Sequence, residues 1–184
     1  MLYRLTNKYL IMKTLKNISA LLLLAFISVG IANAQGTRKE RKAAHVEEIK
    51  KIVEAQNYVF DANYVNPMRG VGRALTSNYD LVVSKDTIIA FLPYFGRAYT
   101  APYNPTEGGI KFTNTHFTYT SVAGKKGGWS VTIKPTGKDK NISDWRDVQT
   151  MRLDISPDGY ASLQVISSNR DPISFNGTIE KRKK

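Results

Sequence analysis

The sequence has 184 residues, 27 lysines and arginines against 15 acids, a formal net charge of +12, and no cysteine. The missing thiols exclude disulfides, thiolate metal sites and cysteine nucleophiles. The charge does not describe a nucleic-acid surface: from Ala43 to Glu180 there are 15 basic and 14 acidic residues, and the excess sits at the two chain ends, whereas a nucleic-acid domain carries its basic patch on the folded surface.

Residues 1–34 read as a signal peptide. Arg4, Lys8, Lys13 and Lys16 form a basic leader without an acid. Leu21 to Ile31 is an apolar run of 11 residues, and Ala32-Asn33-Ala34 supplies small residues for cleavage. A membrane-spanning helix needs about 20 apolar residues, so no transmembrane segment is expected after cleavage behind Ala34. The expected destination is the periplasm or the cell surface. Residues 35–42 read as a disordered basic leader, 43–180 as a single β domain with an N-terminal helix, and 181–184 as a basic tail.

Ala43 to Gln56 reads as the helix. Val46, Ile49, Ile52 and Val53 recur at three- and four-residue spacing and give one apolar stripe. From Tyr58 the period drops to two. Strands are predicted at Tyr58–Tyr64, Leu75–Ser84, Thr87–Leu92, Ile110–Phe112, Phe117–Val122, Trp129–Lys134, Val148–Ile155, Tyr160–Ser167 and Ile173–Glu180. Lys85-Asp86 reads as a hairpin tip and Ser156-Pro157-Asp158-Gly159 as a turn. Ile88-Ile89-Ala90-Phe91-Leu92 lacks alternation, which suits a strand covered on both faces, the outer one by the helix. The pattern describes an all-β fold with one N-terminal helix: an eight- to nine-stranded antiparallel lipocalin-like barrel, with a β-sandwich as the alternative.

The stretch from Leu92 to Tyr103 interrupts the strands. Tyr94, Phe95, Tyr99 and Tyr103 place four rings within ten residues, with Arg97 among them. Phenol rings suit a binding surface, being apolar with one hydrogen-bonding end, and a guanidinium clamps carboxylate or phosphate. Tyr94, Arg97, Tyr99 and Tyr103 are therefore the candidate ligand-binding residues. The structural alternative has the aromatics plug a barrel end, with Arg97 capping carbonyls or pairing with Asp80. Asn169-Arg170-Asp171-Pro172 is a second polar constellation and reads first as a turn. Asp144 and Asp147 flank Trp145-Arg146 in a way that fits a surface loop better than a glycosidase pair. His45 and His116 have no partner at ligand spacing, and no G-x-S-x-G elbow occurs. No metal, no cofactor and no catalytic residue is expected.

Leu92-Pro93-Tyr94-Phe95-Gly96-Arg97, Gly108-Gly109-Ile110-Lys111-Phe112, Gly159-Tyr160-Ala161-Ser162-Leu163, Asn169-Arg170 and Pro172-Ile173-Ser174-Phe175-Asn176-Gly177 follow one another in order. Together they resemble the domain-of-unknown-function 4251 family, exported proteins of Bacteroidota, over about Val53 to Glu180. The resemblance implies an exported single-domain protein. It brings no assigned activity and no catalytic residue. Asp86-Thr87-Ile88 is similar to the O-glycosylation acceptor triplet of exported Bacteroidota proteins, which makes Thr87 a candidate modification site. The expected function is a non-enzymatic envelope protein that binds a small molecule, glycan or lipid fragment. The alternative is a structural or protein-interaction module with a solid core and no ligand. Its partner is then a small ligand or an envelope component and not a nucleic acid, and the chain is a monomer or weak dimer. A cavity inside the barrel favours the first reading, and a packed core the second.

Overall fold

The structure, a computed structural model, describes residues 38–99, 108–124, 127–137 and 148–182. Residues 38–54 form a helix, α1. It starts earlier than the apolar stripe predicts, so 38–42 are helical and not unstructured. Arg38, Lys39, Glu40, Arg41 and Lys42 are all good helix formers that lose little side-chain freedom in a helix. The packing described below concerns the compact unit from His45 onward.

Among the described residues nine strands follow: β1 (Tyr58–Pro67), β2 (Arg73–Val83), β3 (Ile88–Leu92), β4 (Ile110–Asn114), β5 (Phe117–Ala123), β6 (Trp129–Pro135), β7 (Val148–Ile155), β8 (Tyr160–Ser167) and β9 (Ile173–Lys181). Each lies where the period-two pattern puts it, with ends shifted by up to three residues. The strand order is β4-β3-β2-β1-β9-β8-β7-β6-β5 in one sheet. Every pairing is antiparallel, and β1 with β9 joins the first strand to the last. The result is a nearly closed barrel and not a sandwich.

The odd strand count resolves into an even one. Three antiparallel steps lead from β1 to β4, and five lead from β1 to β5. Both are odd, so β4 and β5 run in the same direction. Thr115-His116 between them is therefore a jog in one long strand rather than a hairpin. The first part of that strand pairs with β3 and the second with β6. The barrel closes as eight antiparallel staves, one of which changes partner at the jog. Asn114 fixes the bend: it is 1% exposed, and its Oδ1 accepts the His116 backbone N–H at 2.5 Å.

Alternation decides which side chains meet inside. Tyr58, Phe60, Val65, Leu81, Val83, Ile88, Leu92, Ile110, Val131, Ile133, Met151, Leu153, Leu163 and Phe175 all have 0% exposure. A residue with no accessible surface leaves no room for water against it, so these side chains fill the barrel. At one end, α1 acts as a stopper. Ile49, Ile52 and Val53 are buried. His45 Nε2 lies 3.2 Å from Asp158 O in the β7–β8 turn. Tyr119 donates to Val53 O at 3.5 Å, and its hydroxyl lies 3.3 Å from that of Tyr58. Burial pushes the Tyr58 phenol well above its ordinary range and raises Tyr119 as well.

The helix does not cover the outer face of β3. Ile88, Ala90 and Leu92 point inward, and Phe91 is 41% exposed on the outside. Its ring stacks on Tyr79 with centroids 5.7 Å apart, and Lys111 Nζ lies 4.8 Å from its centroid. The apolar run is thus one inward row plus Ile89 and Phe91 outside, the latter flanked by two neighbouring side chains.

Candidate functional site

The end opposite α1 carries the loops after β1, β3 and β8, and three of these interlock. Segments 93–99 and 168–172 pair as a short antiparallel bridge between Ala98 and Arg170. Tyr99 N–H donates to Asn169 O at 2.8 Å, and Asp171 N–H donates to Arg97 O at 3.0 Å. The two polar constellations singled out in the sequence therefore form one structure. The sequence placed them in separate loops 70 residues apart, and only the barrel topology brings β3 and β8 ends to the same rim.

Asp171 is the hub. It is 3% exposed. Its backbone carbonyl accepts from Tyr94 Oη at 3.1 Å, and the same phenol proton is shared with Arg97 O at 2.9 Å. Its Oδ1 accepts the Tyr99 hydroxyl. Its Oδ2 has no hydrogen bond and lies 3.6 Å from Arg69 Nε. Burial, then the charge of Asp171, raises the Tyr94 phenol. The Tyr99 phenol is raised first by its hydrogen bond to Asp171, which holds the proton in place. Both rings therefore stay neutral hydrogen-bond donors at physiological pH.

Around this hub the charge is positive. Arg97 lies 5.8 Å over the Tyr99 ring, Arg170 5.1 Å over Tyr94 and Arg73 4.6 Å over Phe95. Arg170 also donates to Gly109 O at 3.1 Å. Arg69, Arg73 and Arg97 are exposed. A guanidinium laid on a ring keeps its N–H edge in plane and available to an oxyanion. Among the described residues, Arg69 lies beside the buried Asp171 carboxylate, Arg97 and Arg170 lie on the two phenols bonded to Asp171, and Arg73 lies on Phe95. Sequence reasoning missed Arg69 and Arg73, which flank Gly70-Val71-Gly72. Their charge in a glycine-containing loop was the available signal.

Of the candidates, Tyr94, Arg97 and Tyr99 come together here. Tyr103 lies outside the described residues, as do Asp144 and Asp147. Arg97 does not pair with Asp80, which is on the outer barrel wall opposite Asp61. Thr87 is half-buried one residue past the Lys85-Asp86 tip, its carbonyl accepting from Ser84 N–H at 2.9 Å. Among the described residues no group of three or more His, Asp and Glu gathers as a metal site. No described helix is long and apolar enough to cross a membrane.

The Asp61–Asp80 pair has its own consequence. Burial and then the neighbouring Asp61 charge raise the Asp80 carboxyl above its ordinary value. A raised folded value means that ionised Asp80 disfavours folding. The penalty is full above the raised value and gone below the ordinary carboxylate range near about 4. Asp80→Asn is expected to stabilise the protein at pH 7 by about 0.2–1 kcal/mol, the scale of like charges opposed on strands. Urea melts at pH 7 and pH 3 check this, with the gain absent at pH 3.

The sequence pattern of the domain of unknown function DUF4251 matches residues 40–179. The fold is similar to the crystal structure of a DUF4251 family protein from Bacteroides eggerthii DSM 20697, at 16% identity and a TM-score of 0.52, over 76% of this chain and 91% of that one. No functionally curated protein matches. With its pattern matched over most of the chain, the protein belongs to the DUF4251 family.

Proposed function

We propose that this is an exported, non-enzymatic envelope protein, lipocalin-like in outline, that binds an anionic small molecule or acidic glycan on its rim and not inside its barrel. Residues 1–34 supply the export reading: a basic leader, an apolar run and a small-residue cleavage site. The observation that carries the binding reading is the group of rim arginines, three seated on aromatic faces and Arg69 beside the Asp171 carboxylate. Positive charge held in fixed orientation over rings is suited to a carboxylate, sulfate or phosphate group. The neutral phenols of Tyr94 and Tyr99 would add apolar contact to a sugar face.

Arg97 tests the reading, because its side chain touches the Tyr99 ring and is exposed. Arg97→Ala is expected to change stability by less than about 1 kcal/mol, the scale of an exposed cation–ring contact. The same change is expected to weaken binding of an acidic sugar such as glucuronate by about 10- to 100-fold, from loss of a charge-assisted hydrogen bond worth about 1.5–3 kcal/mol. Calorimetric titration of residues 35–184 with glucuronate, glucose 6-phosphate and glucose reads this out. Equal binding of glucose, or no binding of either acid, would overturn it. The filled barrel favours a second reading, a structural or protein-interaction module of the envelope with no ligand. A partner captured by Arg97→Ala as well as by the parent would support that reading.

A further inference from the structure

Along one edge β5 pairs with β6 in an unbroken register from Phe117↔Pro135 to Ala123↔Trp129. Among the described residues it has no strand partner on its other edge. β3 cannot supply one, since it begins at Ile88, opposite Asn114, and runs from there alongside β4 and away from β5. From Thr120 to Ala123 every residue is exposed, on both faces of the strand, and Val122 is 58% exposed. A bare edge presents a row of unpaired donors and acceptors, and natural proteins block such rows with charge, proline or a bulge. β5 reads FTYTSVA and has none of these. β4, the other end of the sheet, carries Lys111.

We propose that β5 pairs with β5 of a second copy of this chain, antiparallel, about a two-fold axis through Thr120. Three features of the strand fit a copy of itself. It is uncharged, so two copies meet no like charge, whereas a charged partner strand finds nothing complementary. The register about Thr120 sets Thr120 against Thr120 and Thr118 against Val122, which are favourable β-branched neighbours on the outer face. On the other face it sets Phe117 against Ala123 and Tyr119 against Ser121. Each large side chain then meets a small one, so the pairing is self-complementary in volume, as a two-fold contact must be. One strand pair buries less than the roughly 1,200 Å² of stable complexes, which makes the dimer weak and concentration-dependent.

The absence of cysteine gives a clean test. Facing residues of an antiparallel pair have Cα atoms about 4.5–5.5 Å apart, within disulfide reach. Thr120→Cys in the mature chain is expected to form disulfide dimers under mild oxidation. Thr118→Cys is not, because the two sulfurs lie four residues apart along the strands, roughly 13 Å. Sedimentation of the parent is expected to show a dimer at up to about 1 mM, the affinity range of small interfaces. Thr120→Lys is expected to cut the dimer at least about tenfold by placing two cations on the axis, and mixing it with Thr120→Glu is expected to restore a heterodimer. Thr120 is exposed in the monomer, so these variants keep the fold. A parent that stays monomeric throughout, equal crosslinking of Thr118→Cys and Thr120→Cys, or a dimer indifferent to Thr120→Lys would overturn the proposal. A monomer that captures a strand from another protein would likewise replace it.

Discussion

Gly177→Ala is expected to destabilise the protein by more than about 3 kcal/mol, at the upper end of overpacking effects. The inward row at this level is Ala62, Gly177 and Ala161, paired in register across β1, β9 and β8. A Cβ on Gly177 would stand 1.9 Å from the Asp61 carbonyl oxygen and 3.0 Å from a Phe60 ring carbon. The carbonyl is backbone and cannot step aside. The register of β1 against β9 slips next to this level, between Ala62 and Tyr64. Gly108→Ala is the matched control, since a Cβ there meets nothing within 4 Å. Thermal melts of the two variants are expected to differ by roughly 6–12 °C, at about 2–4 °C per kcal/mol for a chain of this size.

Phe175→Ala is expected to cost about 3–5 kcal/mol, the range for emptying a buried aromatic site. Phe175 has 0% exposure and pairs across to Val65 on β1 and Leu163 on β8, both also fully or nearly fully buried. Its two cross-strand neighbours are held in paired strands and have little freedom to collapse into the void. The variant is also expected to take up a small apolar probe such as benzene, seen as a rise in melting temperature that the parent does not show. A parent that binds the probe equally well would mean that the barrel interior is not filled.

Much of this fold was legible because alternation is a strong local code. Met151, Leu153 and Ile155, or Ala161, Leu163 and Val165, state their inner face without help from any other strand. The barrel itself was less legible, since the same strands serve a sandwich. What decides it is the pairing of Tyr58 with Lys181 and of Phe60 with Ile179, more than 100 residues apart. In the sequence, the strands predicted at Ile110–Phe112 and Phe117–Val122 simply follow one another, and nothing marks Thr115-His116 as a jog. Direction of travel depends on how many strands separate β4 from β5 around the sheet, and no local pattern carries that count. At the rim, the aromatic and cationic composition of the loop was visible, while the role of Asp171 was not. A buried carboxylate in a turn looks in sequence like any other turn acid.

The pairing of Tyr58 with Lys181 fixes the polarity of the molecule. The strand that starts the barrel and the strand that ends it meet at the α1 end, while Arg69, Arg97 and Asp171 occupy the far rim. A tag or linker joined behind Arg182 therefore leaves the chain on the side away from the arginines. Anchored to a bead or sensor surface through a linker placed after Arg182, the protein carries its cationic rim on the side away from the attachment point.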